Sequence, residues 1–386
     1  MLLKDKEVAI IGGGPGGLTL AKLLQMQGVH VRVYERDADK YARVQGSPLD
    51  LHDESGLAAI TRAGLLDVFK SNFMPGADRT TITDPLAQIF FSEHDSPKDR
   101  AFGDAHFRPE IDRGVLRKIL LDSLVPDTVV WNSHFMSMQR SGTGWLMQFN
   151  NGFTTYADLV IAADGANSKL RPYVTDHRPL FSGITMLEGN VYNASKNVPS
   201  ISSLLKGGKL MAFGKGRDLL MGQKENDEIG FYASFPSEEN WHKTNGLDYH
   251  DNGSILDWFK KDYPGWSTDW YELFEKANTP FIPRPIYCAP LDQVWEAQPD
   301  LTLIGDAAHV MPPFAGEGVN MAMLDALELS DALTRGKFAT PREAIADYET
   351  AMRKRAAVMA KESLDNGKRM HSDHALETML HFFRGN

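Results

Sequence analysis

Gly12, Gly14 and Gly17 follow directly on the apolar run Val8-Ala9-Ile10-Ile11, and Pro15 stands among them where a helix would begin. Glycines at this G-x-G-x-x-G spacing let the backbone turn tightly and approach a pyrophosphate closely, while the helix that follows offers free N–H groups and the positive end of its dipole. His30-Val31-Arg32-Val33-Tyr34-Glu35 alternates in polarity, reads as the next strand, and ends in a carboxylate placed to accept from a ribose diol. Glu35 favours a 2′-hydroxyl over a 2′-phosphate, and Arg36 beside it pulls the other way, so the turn suits FAD or NAD better than NADP. A glycine-rich loop without a ligand is the bland alternative. The strand–turn–helix–strand–acid order argues against it.

A second set of residues, GDAAHVMPPFAGEGVNMAM from Gly305 to Met323, follows the buried-strand pattern Leu301-Thr302-Leu303-Ile304. If that strand lies in the same parallel sheet, Asp306 emerges at its C-terminal edge beside the dinucleotide, as an acceptor for a ribityl hydroxyl. Pro312-Pro313 would set a rigid wall there. Gly316-Glu317-Gly318-Val319 would open a helix whose N–H groups face the pyrimidine edge of a flavin and stabilise negative charge on it. FAD requires this second element; NAD does not. His309 falls near the same place, where a structural role is expected of it.

The elements that must position these residues are readable in outline. Pro15 to Gln27 has helical spacing and Gly28 closes it. Ile111 to Ser123 reads as a helix, Gly144 to Tyr156 as a hairpin with an Asn-Asn-Gly turn, and Leu159 to Ala163 as another buried strand. From about 173 to 285 aromatic, Met and turn residues become denser and alternation replaces the strand–helix rhythm, with strands expected at Lys209–Phe213 and Ile229–Phe235. Thr340-Pro341-Arg342-Glu343 carries an N-cap, a first-turn proline and a capping-box acid ahead of a long amphipathic helix. The expectation is an α/β fold. A Rossmann-like FAD-binding domain (1–172 plus 286–336) carries an inserted, largely antiparallel β domain that binds substrate (173–285) and a C-terminal helical segment (337–386).

The bulk composition narrows the function. The chain has 386 residues, a formal net charge of −10 and no dense basic block, which argues against a nucleic-acid partner. A single cysteine, Cys288, excludes an intrachain disulfide and fits a cytoplasmic setting. No apolar run is long enough for a membrane span, and a monomer is expected. His371 and His374 have a spacing that could bind metal but lack an evident third ligand, so a solvated face is the better reading and no metal is expected. Trp258, Trp266 and Trp270 read as core, Cys288 as an inert buried thiol, and Ser168 lies outside any nucleophile elbow. No general base is identifiable.

Taken together, Gly12-x-Gly14-x-x-Gly17, Asp164-Gly165-Ala166-x-Ser168-x-x-Arg171 and Gly305-Asp306-Ala307-Ala308-His309 resemble the class A flavoprotein monooxygenases, single-component FAD-dependent hydroxylases of aromatic rings. A narrower resemblance, carried by ERDADKYARVQGSPLDLH, IDRGVLRKILLDSL and GDAAHVMPPFAGEGVN, is to the TetX-type tetracycline-inactivating monooxygenases. It implies that NADPH, or NADH, reduces FAD and that one oxygen of O₂ passes to a nucleophilic carbon of a phenol or enol, with tetracyclines the leading substrates. Another aromatic metabolite, or a flavoprotein reductase that does not oxygenate, is the alternative. It further implies that Arg113 contacts FAD, that Asp50 and Arg43 line the flavin and nicotinamide region, and that Asp306 holds the ribityl chain, beside the Pro313, Gly316, Gly318 and Val319 already read from the turn. Substrate would meet Glu188, Lys209, Met221, Phe231 and Phe314. Here the chain departs from the tetracycline-acting pattern, which has Gln, Arg and His where this chain has Glu188, Lys209 and Phe231, and Phe and Asn where it has Met221 and Gln223. Lysine lacks the planar fork of arginine. Glu188 and Lys209 are expected either to face the pocket or to pair with each other.

Overall fold

A computed structural model of the chain describes residues 2–42, 46–95, 101–104 and 107–384. Five parallel strands form the first sheet, in the order Leu301–Leu303, Leu159–Ala162, Val8–Ile11, Val31–Tyr34, Val129–Val130. The strands Val8–Ile11, Leu159–Ala162 and Leu301–Leu303 are buried along their whole length, which is why they read as continuous apolar runs rather than alternating ones. The helix Pro15–Met26 packs on this sheet, its Leu18, Leu20, Ala21 and Leu24 fully buried. Leu301–Leu303 pairs directly with Leu159–Ala162, so the Asp306 turn and the Gly12 turn leave the same sheet at the same edge. The expected hairpin forms from Gly144–Phe149 and Thr154–Ala157, joined by Phe135–Ser141 into a small antiparallel sheet.

The second large sheet has seven strands in the order Asn278–Cys288, Leu180–Val191, Glu228–Pro236, Asp218–Lys224, Lys209–Phe213, Thr80–Thr83, Ile89–Ser92. All neighbours are antiparallel except Lys209–Phe213 and Thr80–Thr83. It therefore draws two strands from residues 80–92, outside the 173–285 segment. One face is covered by the helices Asn252–Asp262 and Tyr271–Lys276. There Leu187, Leu210, Leu219, Phe231 and Phe235 form a core with Trp258, Trp266 and Trp270, the packing role the sequence suggests for the three tryptophans. The other face turns toward the first sheet. Thr340 caps the helix Pro341–Met370 in a complete capping box with Glu343, and that helix is tied to the first sheet where the Tyr348 hydroxyl donates to the Leu303 carbonyl at 3.0 Å. A last helix, Ala375–Arg384, packs near Ile82 and Phe213. Among the described residues no helix is long and apolar enough to cross a membrane.

Candidate active site

The three motif glycines serve two different purposes. Gly12 has φ +114°, and a Cβ there would lie 2.2 Å from the Ala163 carbonyl oxygen. A Cβ on Gly17 would lie 2.2 Å from the Gly12 carbonyl oxygen, so both positions are closed by the protein's own backbone. Gly14 is different: a Cβ there would meet nothing within 4 Å. It also caps the helix Pro15–Met26 without a side-chain hydrogen bond, and no acid sits in the first turn. The helix start thus faces open space with no side-chain cap and no acid in its first turn, the arrangement a pyrophosphate fits. Glu35 is buried next to it, accepting from the Gly13 N–H and, through its other oxygen, from the Asp37 N–H at 2.9 Å. Each carboxylate oxygen keeps a lone pair for a diol. Arg36 is exposed. Arg43 lies outside the described residues.

Gly305 takes φ +58° to end its strand, and Asp306 follows at the start of a short helix. The Asp306 side chain opens to solvent although protein surrounds it closely. The cationic groups of Arg113 and Arg171, and His309, lie around it. Arg171, from the Asp164-Gly165 motif, braces the backbone beneath: its guanidinium donates to the carbonyls of Ala307 at 2.8 Å and Asp306 at 2.7 Å. Ser168 is a local cap, its hydroxyl accepting from the N–H groups of Leu170 and Arg171. His309 is buried against Asp325 at 2.6 Å, and Arg355 holds the other Asp325 oxygen at 2.8 Å. Burial alone would lower the His309 pKa. Asp325 outweighs it and raises the pKa, and the ring braces the turn through that carboxylate.

In the loop beyond, Pro312 is buried, Pro313 is exposed and half-buried Phe314 packs edge-on against His371, ring centres 5.6 Å apart. Gly316 has φ +71°, and a Cβ there would come 3.3 Å from an Asp50 carboxylate oxygen. Gly318 and Val319 begin the helix Gly318–Thr334, again without a side-chain cap; Gly318 lies next to Asp306, 3.9 Å from its carboxylate to a Cβ position. Asn320, which sequence reasoning did not single out, is fully buried and fastens this turn to the strand Leu49–Asp50. Its side-chain oxygen accepts from the His52 N–H at 3.0 Å, and its amide donates to the carbonyls of Asp50 at 2.9 Å and Gly316 at 3.2 Å.

Asp50 sits opposite Glu110 in a two-stranded ladder, and Glu110 holds the Lys209 ammonium. Asp50 also meets His52 at 3.2 Å. Burial would raise the Asp50 pKa, but Lys209 and His52 outweigh it and bring the carboxyl down to about 2. Glu110 goes the other way, pushed up to about 7 by burial and by Asp50 against the pull of Lys209. Arg113, at the start of the helix Arg113–Asp122, is half-buried with its guanidinium donating to the Ser47 carbonyl at 3.3 Å. Burial lowers its pKa against the pull of Tyr232, Asp306 and Glu188, which places those groups around it. Arg113, Asp50, Asp306, Gly316, Gly318 and Val319 are thereby brought to one region beside the Gly14 turn.

The sheet opposite corrects part of the substrate reading. Phe231 packs against Phe274 and Phe281 at ring separations of 5.4 and 6.3 Å, and Met221 joins the same cluster. Both point away from Asp306, to the helix-covered face, because successive strand residues alternate. The residue that faces inward is Tyr232, whose hydroxyl accepts from the Ser47 N–H at 3.2 Å. Glu188 and Lys209 do face inward, but they do not pair with each other. Glu188 is buried and takes the Arg284 guanidinium at 2.7 Å, whereas Lys209 pairs with Glu110. Each carboxylate is buried and each cation about one-third exposed or more, 32% for Lys209 and 40% for Arg284. His371 and His374 do not converge: His371 is buried against Ser234 at 2.7 Å, and His374 is exposed. Burial pushes the Cys288 thiol up to about 11, which leaves it unreactive.

Against known proteins, residues 5–101 and 296–363 match the family described as FAD binding domain. The chain is 26% identical over 428 residues to the monooxygenase penA of Penicillium thymicola, covering 96% of each chain. It is 28% identical to 3-amino-4-hydroxybenzoate 2-monooxygenase PtmB3 of Streptomyces platensis, covering 94% of this chain and 88% of the other. Its fold superposes on the tetracycline destructase Tet(55) with a TM-score of 0.76 at 20% identity, covering 100% of this chain and 96% of that one. The chain is thus similar, over most of its length, to FAD-binding monooxygenases in sequence and in fold.

Proposed function

We propose that this enzyme consumes NADPH or NADH and O₂ to hydroxylate a small phenolic or enolic ring compound, with tetracycline antibiotics the first candidates. Residues 1–172 with 286–336 serve as the cofactor domain, and 173–285 with the strands of 80–92 as the substrate wall. The Gly12–Gly17 turn holds the pyrophosphate, Glu35 the ribose, Asp306 the ribityl chain, and Gly318 and Val319 the pyrimidine edge; Arg113 and Asp50 flank the ring. Bound FAD supplies the redox chemistry that activates O₂. The observation that carries the substrate reading is the pair of half-exposed cations, Lys209 and Arg284, on the sheet face that looks toward Asp306. Each would meet an oxyanion of the substrate. Glu188 is neutralised by Arg284 and is poorly placed to meet an ammonium, so the dimethylamino group of a tetracycline lacks a partner there and turnover of tetracycline is expected to be weak.

The likeness to a 3-amino-4-hydroxybenzoate monooxygenase over nearly the whole chain favours a second substrate, a smaller phenolic acid. One experiment separates the two: NADPH and NADH oxidation by the flavin-loaded protein, with and without tetracycline or 3-amino-4-hydroxybenzoate, followed by product mass. The expected result is faster oxidation and a product one oxygen heavier. Lys209→Ala should raise KM more than it lowers kcat, as the loss of a ground-state anchor does. Stimulation by neither compound would refute both substrate readings, and stimulation without oxygen transfer would mark a reductase.

A further inference from the structure

Behind the Gly316–Gly318 turn runs an unbroken string of five charged side chains. Lys209 pairs with Glu110, which lies across the ladder from Asp50; Asp50 meets the Nε2 of His52 at 3.2 Å; and the Nδ1 of His52 meets Glu317 at 3.3 Å. The string is deeply set. The His52 side chain is 2% exposed, and those of Asp50 and Glu317 are 18% and 12% exposed. Two of its carboxylates border the turn itself, Asp50 against Gly316 and Glu317 within it, and Asp306 lies on the other side of Gly318. Acids so close to a helix start would cancel the positive end that makes it useful to an anion, and the low local dielectric enlarges the effect.

His52 resolves the conflict by geometry. Each of its ring nitrogens lies close to a carboxylate oxygen, Nε2 in a hydrogen bond with Asp50 and Nδ1 in an ion-pair contact with Glu317 outside hydrogen-bond geometry, and a ring flanked by two acids in this way favours the imidazolium. The Asp50 and Glu317 carboxylates outweigh burial and bring its pKa to about 9, in agreement with that geometry. Its backbone is held separately, through Asn320.

We propose that His52 is a positioning and charge-setting residue: as a fixed cation it offsets the charge of Asp50 and Glu317 beside the start of the Gly318 helix, and it thereby raises the midpoint potential of the bound flavin. The proposal rests on the reading of Gly316–Val319 as the edge that meets the flavin ring. Its test is the midpoint potential of the flavin-loaded protein by dye-equilibrium titration. His52→Gln keeps hydrogen-bonding groups in place and removes the charge. The ratio of reduced to oxidised flavin at a fixed potential should fall about tenfold, a shift of ~30 mV to the negative for a two-electron couple. Glu317→Gln removes one acid while Asp50 keeps the imidazolium charged, and should move the potential in the opposite direction. Wild-type potentials in both variants would overturn the proposal even if both melt earlier, because a clamp that is only structural changes stability alone. If His52→Gln fails to hold flavin, the sign of the Glu317→Gln shift decides. Wild-type protein that does not bind FAD at all would refute the site reading and the proposal with it; bound FAD with unmoved potentials refutes only the role of His52.

Discussion

At the Gly12–Gly17 turn the groups that face the open space belong to the backbone, whereas on the seven-stranded sheet they are side chains that have already found partners. The turn leaves Gly14 bare and the helix behind it uncapped, and its distant neighbours, such as the Ala163 carbonyl beside Gly12, are backbone too. The sheet presents Lys209 backed by Glu110 and Arg284 backed by Glu188, partners 99 and 96 residues apart in the chain. A wall made of backbone suits a group that side-chain substitutions leave unaffected. A wall made of paired side chains can be retuned one pair at a time, which is why the proposed function assigns substrate preference to it.

The comparison breaks most visibly if the two faces of the sheet are not as distinct as their packing implies. Phe231→Ala would empty a fully buried site on the helix-covered face, and such truncations cost about 3–5 kcal/mol. The expected outcome is a large loss in denaturant midpoint with KM for the turned-over substrate unchanged in the protein that remains folded. A large KM change at constant stability would return Phe231 to the substrate wall.

That placement shows where the sequence was legible. The glycine turn, Glu35, Asp306 and the Thr340 cap are local patterns, with the residues that define each of them adjacent or one turn apart. A strand's alternation divides its residues into two sets without saying which set faces the cofactor. In Glu228–Pro236 the set Ile229, Phe231, Ala233 and Phe235 is wholly buried, whereas Glu228 and Tyr232 of the other set are half-buried and Pro236 is exposed, a difference that appears only in the fold. A weaker signal was present: Gly230, Tyr232 and Ser234 share one phase, with two hydroxyls, against Ile229, Phe231, Ala233 and Phe235 on the other. His52, Asn320 and Arg284 escaped notice because their meaning comes only from partners brought together by the fold.

The charged string sharpens the comparison through pH. The His52 pKa is raised from 6.5 to about 9, so its stabilisation of the apoprotein is complete below 6.5 and is lost as pH rises through 9. Asp50 is lowered from 3.8 to about 2, so its contribution is present above 3.8 and lost as pH falls through 2. Glu110, raised from 4.5 to about 7, adds a loss of stability between those values. At ~1.4 kcal/mol per unit, the His52 component is bounded at roughly 3 kcal/mol. Apoprotein stability should therefore decline between pH 6.5 and 9, and His52→Gln should flatten that limb and also weaken the acid limb, because His52 helps to hold the Asp50 carboxyl down. An identical alkaline limb in the variant would contradict the charged clamp.

A smaller effect is expected at Asp306. Its carboxylate, if it accepts from the ribityl chain, contributes roughly 1.5–3 kcal/mol, so Asp306→Ala should weaken FAD binding about ten- to a hundredfold by fluorescence titration. Because the wild-type side chain opens to solvent and is not part of either core, the apoprotein should melt as before. Unchanged affinity would remove Asp306 from the cofactor site.

The measurement that bears most directly on the whole account contrasts two glycines of one motif. Gly12→Val forces a side chain onto the Ala163 carbonyl at a positive φ, and should prevent folding. Gly14→Val occupies space in which the protein has nothing within 4 Å, at an ordinary extended φ of −79°. It should yield a folded apoprotein whose Tm falls by no more than ~2–4 °C, and that protein should be colourless and unable to take up added FAD, while the wild type releases FAD on acid precipitation. A Gly14→Val protein that remains yellow at wild-type occupancy would contradict the claim that this turn is where the cofactor's pyrophosphate binds.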